Sequence, residues 1–186
     1  GALAIDISNF NDAADSLTVD STDITETNGD TAIDVDAERG NGQIDIVSGS
    51  IEGDGSGTTG ISTNNDTNIT IDSVSINDTD VGVSAVDIGD TTVITGASIT
   101  NTGSQAIHFD DPTSNLGVRA NVTVNGSTTI DQAGVGVEIN HASSNVFDLN
   151  IDNVVINGTD SGGVNITEMD GGDGNNLFNI TSSTFT

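Results

Sequence analysis

The residues best equipped for chemistry are His108, Asp110 and Asp111, gathered in IHFDDP at 107–112. Hydrolysis of a glycosidic bond needs carboxyl groups on both sides of that bond, one of them protonated. The same stretch also spells a turn, because Asp110 and Asp111 ahead of Pro112 favour turn initiation. Eliminative cleavage of an acidic sugar would need Lys or Arg on the substrate carboxylate. The chain offers only Arg39 and Arg119, on loops far apart in sequence, and it has no Trp or Tyr on which a sugar ring could stack. His141 follows Asn140 in another loop, where a solvated residue is the simpler reading, and two isolated histidines make no Ser/His/Asp set. No catalytic residue and no organic cofactor is assigned.

Hard oxygen ligands are plentiful in DGSG (54–57), NDTD (77–80) and DGGDGNN (170–176). Calcium takes such ligands, and the expected weak site is Asp170, Asp173, Asn175 and Asn176. The stretch GGDGNNLFN at 171–179 resembles the calcium-binding nonapeptide of RTX repeats, GGxGxDxUx, with Asn176 where that motif carries Asp. Eight asparagines precede x-Ser/Thr and are candidate glycan acceptors: Asn65, Asn68, Asn77, Asn121, Asn125, Asn157, Asn165 and Asn179.

Charge sets the next limit. Twenty-nine acidic residues face 2 basic ones, for a net charge of -27. Such a surface repels phosphate at every range, so nucleic acid is excluded as a partner, and the charge also argues against docking on an anionic membrane leaflet. No apolar run approaches the roughly 18–20 residues of a bilayer span, so direct membrane insertion is not expected. Dense carboxylates with no Lys also suit salty surroundings, where ions screen them.

These residues must be positioned by very short strands. The apolar residues are mainly Ile and Val, which favour a pleated surface, and the polar ones are Thr, Ser, Asn, Asp and Gly, which favour turns. A phrase recurs: an apolar-x-apolar pair, a polar turn, one apolar site, a small residue and a second apolar pair. At 69–83 it reads ITIDSVSINDTDVGV, with Ile69, Ile71, Val74, Ile76, Val81 and Val83 inward. At 149–166 the inward set is Leu149, Ile151, Val154, Ile156, Val164 and Ile166. The middle site marks each unit: Ile24, Ile51, Ile76, Ile99, Ile130, Ile156 and Phe185, at steps of 27, 25, 23, 31, 26 and 29.

Three stretches of period 2 per repeat, with no 3.6 period, give a β-solenoid and not a helical repeat. The expected fold is all-β: a right-handed parallel β-helix of about seven coils of roughly 27 residues, each with three short strands. At about 4.8 Å per coil the rod is roughly 34 Å long. Outward positions of the third strand read as Asp6, Asp34, Ser62, Gly82, His108, Gly136 and Asn165. Outward positions of the first strand (Thr18, Asp45, Thr70, Thr123, Asn150, Asn179) are too mixed for the regular Thr ladder of an ice-binding face. The longest insertions, 110–121 and 167–176, follow the third strand and fall along one edge.

The chain reads as one domain, 1–186, that begins and ends within a coil. ALAIDI matches a third strand, and FNITSSTFT supplies a first and a second. Placed in series, NITSSTFT and GALAIDI have the register of a full coil. The expected partner is therefore a second copy, head to tail, or flanking coils of a longer solenoid, with Ile5, Ile7, Phe178, Ile180 and Phe185 as contact residues.

ITGASITNTGSQAIHF (94–109) and VTVNGSTTIDQAGVGVEI (122–139) resemble the repeats of β-helical surface proteins, the autotransporter passengers and haemagglutinin-like adhesins. The resemblance implies an extracellular or cell-surface location and a structural or adhesive role, with surface glycans as further partners. It carries over no functional residue. The expectation is a non-enzymatic filament subunit or adhesin shaft. The alternative is a polysaccharide-binding or polysaccharide-cleaving β-helix, as in pectate-lyase-like enzymes, working at His108–Asp111.

Overall fold

The computed structural model describes residues 4–8, 16–25, 29–36, 42–64, 68–86, 91–110, 119–141, 146–169 and 176–186. Every regular element among them is a strand. In chain order these are β1 (Ile5–Ser8), β2 (Ser16–Thr25), β3 (Thr31–Asp36), β4 (Gln43–Glu52), β5 (Thr59–Asn64) and β6 (Asn68–Asp72). There follow β7 (Ser75–Asn77), β8 (Val81–Val86), β9 (Thr91–Thr95), β10 (Ser98–Asp110), β11 (Arg119–Asn125) and β12 (Thr129–His141). The last are β13 (Val146–Asp152), β14 (Val155–Asn157), β15 (Gly162–Met169), β16 (Leu177–Thr181) and β17 (Thr184–Phe185).

All pairings are parallel and fall into three ladders. The first joins the leading halves of β2 and β4 to β6, β9, β11, β13 and β16. The second joins the trailing halves of β2 and β4 to β7, the starts of β10 and β12, then β14 and β17. The third joins β1, β3, β5 and β8 to the ends of β10 and β12, then β15. Each ladder has seven rungs, the parallel β-solenoid that the repeat demands.

The middle markers stack as read: Ile24 on Ile51, Ile51 on Ile76, Ile76 on Ile99, Ile99 on Ile130, Ile130 on Ile156 and Ile156 on Phe185. Ile51 through Ile156 in that column are buried, and they join one continuous aliphatic core with Ile44, Ile46, Ile69, Ile71, Val122, Val124, Leu149 and Ile151. Parallel ladders serve this packing because each Ile or Val meets its equivalent one rung away, and branched side chains fit a pleated face.

The corners explain the polar residues between strands. At the first corner Ser21, Ser48, Ser73, Gly96, Asn153 and Ser182 all take φ between 50° and 59°. A left-handed residue turns the chain sharply, and Gly, Asn and other short polar residues tolerate it best. Local bonds hold two of them: Ser21 Oγ and Ser73 Oγ donate to Asp20 and Asp72 Oδ1, each at 2.8 Å.

The third ladder corrects part of the expected register. Asp34 and Ser62 are followed outward by Ser84, then His108, then Glu138 and Asn165. Gly82 and Gly136 are therefore not outward residues but buried ones. Val81 and Val135 are half-buried and pair with Gln105. The reason is a column of small residues (Ala32, Gly60, Gly82, Ala106, Gly136) that lies inside at the strand entry, so two successive residues face the core there and period 2 breaks.

That column is tight. A Cβ on Gly82 would sit 2.4 Å from the Ala106 carbonyl oxygen and 2.7 Å from Ile99 Cγ2. Gly82→Val is expected to lose about 3 kcal/mol or more, at the upper end of overpacking costs because a backbone atom blocks relief. Ser84→Val, on the outward side of the same strand, should change stability by no more than about 0.5 kcal/mol. Urea unfolding of the two variants checks this, and equal midpoints would remove the small-residue column from the account.

Candidate functional site

His108 and Asp110 lie on the outward side of the third ladder, both half-buried, near the end of β10. His108 stands in register between Ser84 and Glu138, and Asp110 between Val86 and Asn140. The acid brought beside His108 is thus Glu138, a residue that the sequence motif does not contain. Glu138 is occupied on both oxygens: Gln105 Nε2 donates to Oε2 at 2.6 Å and Asn165 Nδ2 to Oε1 at 3.2 Å. These donors come from the rungs on either side, so the carboxylate acts as a clasp between coils. Asp111, Pro112 and Arg39 lie outside the described residues. Arg119 opens β11 on the first ladder, and His141 closes β12 with its backbone paired to Met169.

Of the expected calcium ligands, Asp170, Asp173 and Asn175 lie outside the described residues. Asn176 Oδ1 accepts the backbone N–H of Phe147 at 3.0 Å, so it splints two coils. Among the described residues no three His, Cys, Asp or Glu side chains gather as a metal site would require.

The outward columns are polar ladders with a consistent rule. Among the described cross-rung pairs, Asp6 on Asp34 is the one that sets acid beside acid. Elsewhere a carboxylate faces a hydroxyl, an amide, an imidazole or an aliphatic group. Many of these neighbours donate to it: Ser50 Oγ to Asp23 at 2.7 Å, Asn77 Nδ2 to Glu52 at 2.9 and 3.0 Å, and Thr181 Oγ1 to Asp152 at 2.6 Å. Like charges directly opposite destabilise a sheet, so this spacing lets a highly acidic chain stack closely.

At the first corner, hydrogen bonds from Ser21 and then Ser48 hold the Asp20 carboxyl below the usual carboxylate range. A depressed folded pKa contributes stability above the unfolded value and loses it as pH falls through the folded one. At an exposed position that contribution is small.

The sequons divide by geometry, since a glycan attaches at Nδ2. Asn77, Asn165 and Asn179 spend that nitrogen on Glu52, Glu138 and Asn150. Asn68 and Asn121 are half-buried within β6 and β11. Asn157 accepts a bond from Thr186 Oγ1. Asn125 stands at a turn, before Gly126 and Ser127. Asn65 lies outside the described residues.

The rung formed by β15, β16 and β17 has neighbours on one side only among the described strands. Its apolar side chains show it: Ile180 is 45% and Phe185 44% exposed, and Phe178 is half-buried against Phe147. At the opposite end Ile5 is half-buried and Ile7 is 9% exposed. Ile166 and Leu177 add to the open rung at 38% and 59% exposed. Leu177 has the outward parity of its strand and so is not marked by the repeat. A shallow groove of about 290 Å³ beside it is lined by Asn121, Val122, Thr123, Asp148, Leu149, Asn150 and Asn179, where Asp148 Oδ1 accepts the Leu177 N–H at 3.2 Å and Asn150 Oδ1 accepts from Asn179 Nδ2 at 2.9 Å.

Comparison of this chain with family models, with curated proteins and with solved structures found no match.

Proposed function

We propose that this chain is a non-enzymatic structural protein working outside the cell, a stiff β-solenoid that serves as the building block of a filament. The observation that carries the reading is the continuous run of three parallel ladders from Ile5 to Phe185, whose register slips only locally, between Thr102 and Gln105 at a corner and between Ile139 and Asn140 at the end of β12. A rod whose rungs are near-equivalents of one another resists bending and can be lengthened by adding rungs. Ile166, Leu177, Ile180 and Phe185 leave apolar surface on one rung, and open strands there offer backbone groups for pairing. A second copy whose β1 and β2 lie on β15, β16 and β17 would continue all three ladders. Val164 and Ile166 would then meet Ile5 and Ile7, and Phe185 would meet Ile24.

Electron microscopy of the purified chain tests this. The expected result is unbranched particles longer than one rod, shortened to single rods by Ile180→Asp combined with Phe185→Asp. Thr184→Asn changes the outward side of the same rung, opposite Asp23 of the next copy, without adding a charge and should leave the particles long. Circular dichroism confirms that each variant keeps its strands. Single rods from the unaltered chain at every concentration would overturn the filament reading.

A further inference from the structure

Two Asn-Gly pairs lie within the described residues, and the fold treats them in opposite ways. At Asn157-Gly158 the glycine N–H donates to the Thr186 carbonyl at 3.0 Å, and Asn157 Oδ1 accepts from Thr186 Oγ1. Both halves of the pair are held by the next rung. At Asn125-Gly126 they are not.

The difference comes from one extra residue. After β6, β9 and β13 one left-handed residue turns the chain, and its N–H donates to a carbonyl of the next rung: Ser73 to Thr95 at 2.9 Å, Gly96 to Asn125 at 3.2 Å, Asn153 to Thr181 at 3.1 Å. The corner after β11 holds two such residues, Gly126 at φ 69° and Ser127 at φ 66°. There Ser127 makes the inter-rung bond, to Asn153 at 3.1 Å, and the turn closes by Thr128 N–H to the Asn125 carbonyl at 3.2 Å. Gly126 N–H has no hydrogen-bond partner among the described residues, and Gly126 and Ser127 are exposed. The Asn125 side chain is half-exposed and likewise makes no hydrogen bond among them.

We infer that Asn125 is a site of spontaneous deamidation in the folded chain. Gly126 N, after yielding its proton to a base in solvent, attacks Asn125 Cγ. The new N–Cγ bond forms, Nδ2 takes a proton from solvent, and the Cγ–Nδ2 bond breaks as ammonia leaves. Water then opens the five-membered imide at either carbonyl and leaves aspartate or isoaspartate at position 125. No oxidant or reductant is consumed, since an amide is exchanged for a carboxylate. Glycine favours the attack because no Cβ crowds the nitrogen. The new carboxylate would lie one residue beyond the Val124–Ile151 pair, next to Asp152. It would place acid beside acid, which the ladders otherwise confine to Asp6 and Asp34.

The experiment is peptide mapping by mass spectrometry, with isoaspartate detection, of the folded chain held at mildly alkaline pH. Conversion at Asn125 should run at least ~10-fold faster than at Asn157, because attack at Asn157 requires local opening. In denaturant the two sites should convert at similar rates. Asn125→Gln should remove the fast product and leave the circular dichroism unchanged. Equal rates at both sites in the folded chain would overturn the assignment. So would an Asn125 that stays intact when folded and converts only in denaturant. The inference stands apart from filament formation, since single rods would show it equally.

Discussion

Phe147→Ala is expected to destabilise the folded chain by about 3–5 kcal/mol, the range for truncating a buried aromatic. Phe147 is 1% exposed. Its ring lies between two others, with centroids 6.5 Å from Phe109 at a tilt of 57° and 6.3 Å from Phe178 at 24°. Offset and tilted aromatic pairs contribute beyond the area that they bury. Ala120 is the in-register neighbour of Phe147 one rung back, and its small side chain leaves the volume that the ring fills. Removing the ring opens a cavity that alanine beside alanine cannot close. The check is urea unfolding with the slope held common, and at about 2–4 °C per kcal/mol for a chain of this size the melting point should fall by roughly 6–20 °C. Phe178→Ala should cost less, since Phe178 is only half-buried, and the double variant should cost less than the two losses added together, because one stack is lost once. A loss below about 1 kcal/mol for Phe147→Ala would mean that the coil collapses around the gap and the stack carries little of the stability.

Phe147 also shows how the sequence could be read further. The alternation Phe147, Leu149, Ile151 has period 2 throughout, as does Ala120, Val122, Val124. The repeat phrase begins at the second member of each run because only two members recur in every coil. The middle ladder was legible in full, since each marker comes five residues after the last inward apolar residue of the first strand (six after Val124) and stands directly before a polar residue. The third ladder was legible except where Gly82 and Gly136 follow a valine. Val-Gly-Val has the look of a strand with an outward glycine, but close packing against the Ala106 and Gly163 carbonyls buries those glycines and shifts the outward position by two. That shift matters for the candidate site: it replaces Gly136 with Glu138 as the neighbour of His108. Such a neighbour, thirty residues away along the chain, depends on register alone. The spacing of acids between donors is hidden for the same reason. Composition gives the number of carboxylates, and only the ladder tells which residue faces each.

That spacing leads to the largest expected response to conditions. Raising sodium chloride from about 10 mM to about 1 M, which shortens the Debye length from about 30 to about 3 Å, should raise the melting temperature by at least ~10–20 °C. The chain carries a net charge of -27, and folding draws that charge from an extended coil onto a narrow rod. Alternation of acids with Ser, Thr and Asn removes the nearest like-charge contacts. It leaves those two rungs away, as with Asp20 and Asp72 on either side of Val47. At about 10 Å in water two carboxylates repel by roughly 0.4 kcal/mol whether they share a column or, as with Asp20 and Asp45, lie on a diagonal between columns, so about a dozen such neighbours among the 29 acids sum to about 5 kcal/mol. At roughly 2–4 °C per kcal/mol this gives the stated shift. Screening depends on ionic strength and little on the cation, so potassium and tetramethylammonium chlorides should match sodium chloride. A rise seen only with sulfate would instead reflect strengthened apolar burial, and a rise complete at low millimolar calcium would point to specific ligation. A melting point that does not move with any of these salts would show that the ladders already neutralise the repulsion through their hydrogen bonds. The acidity would then have no bearing on the ionic strength at which the rod is stable.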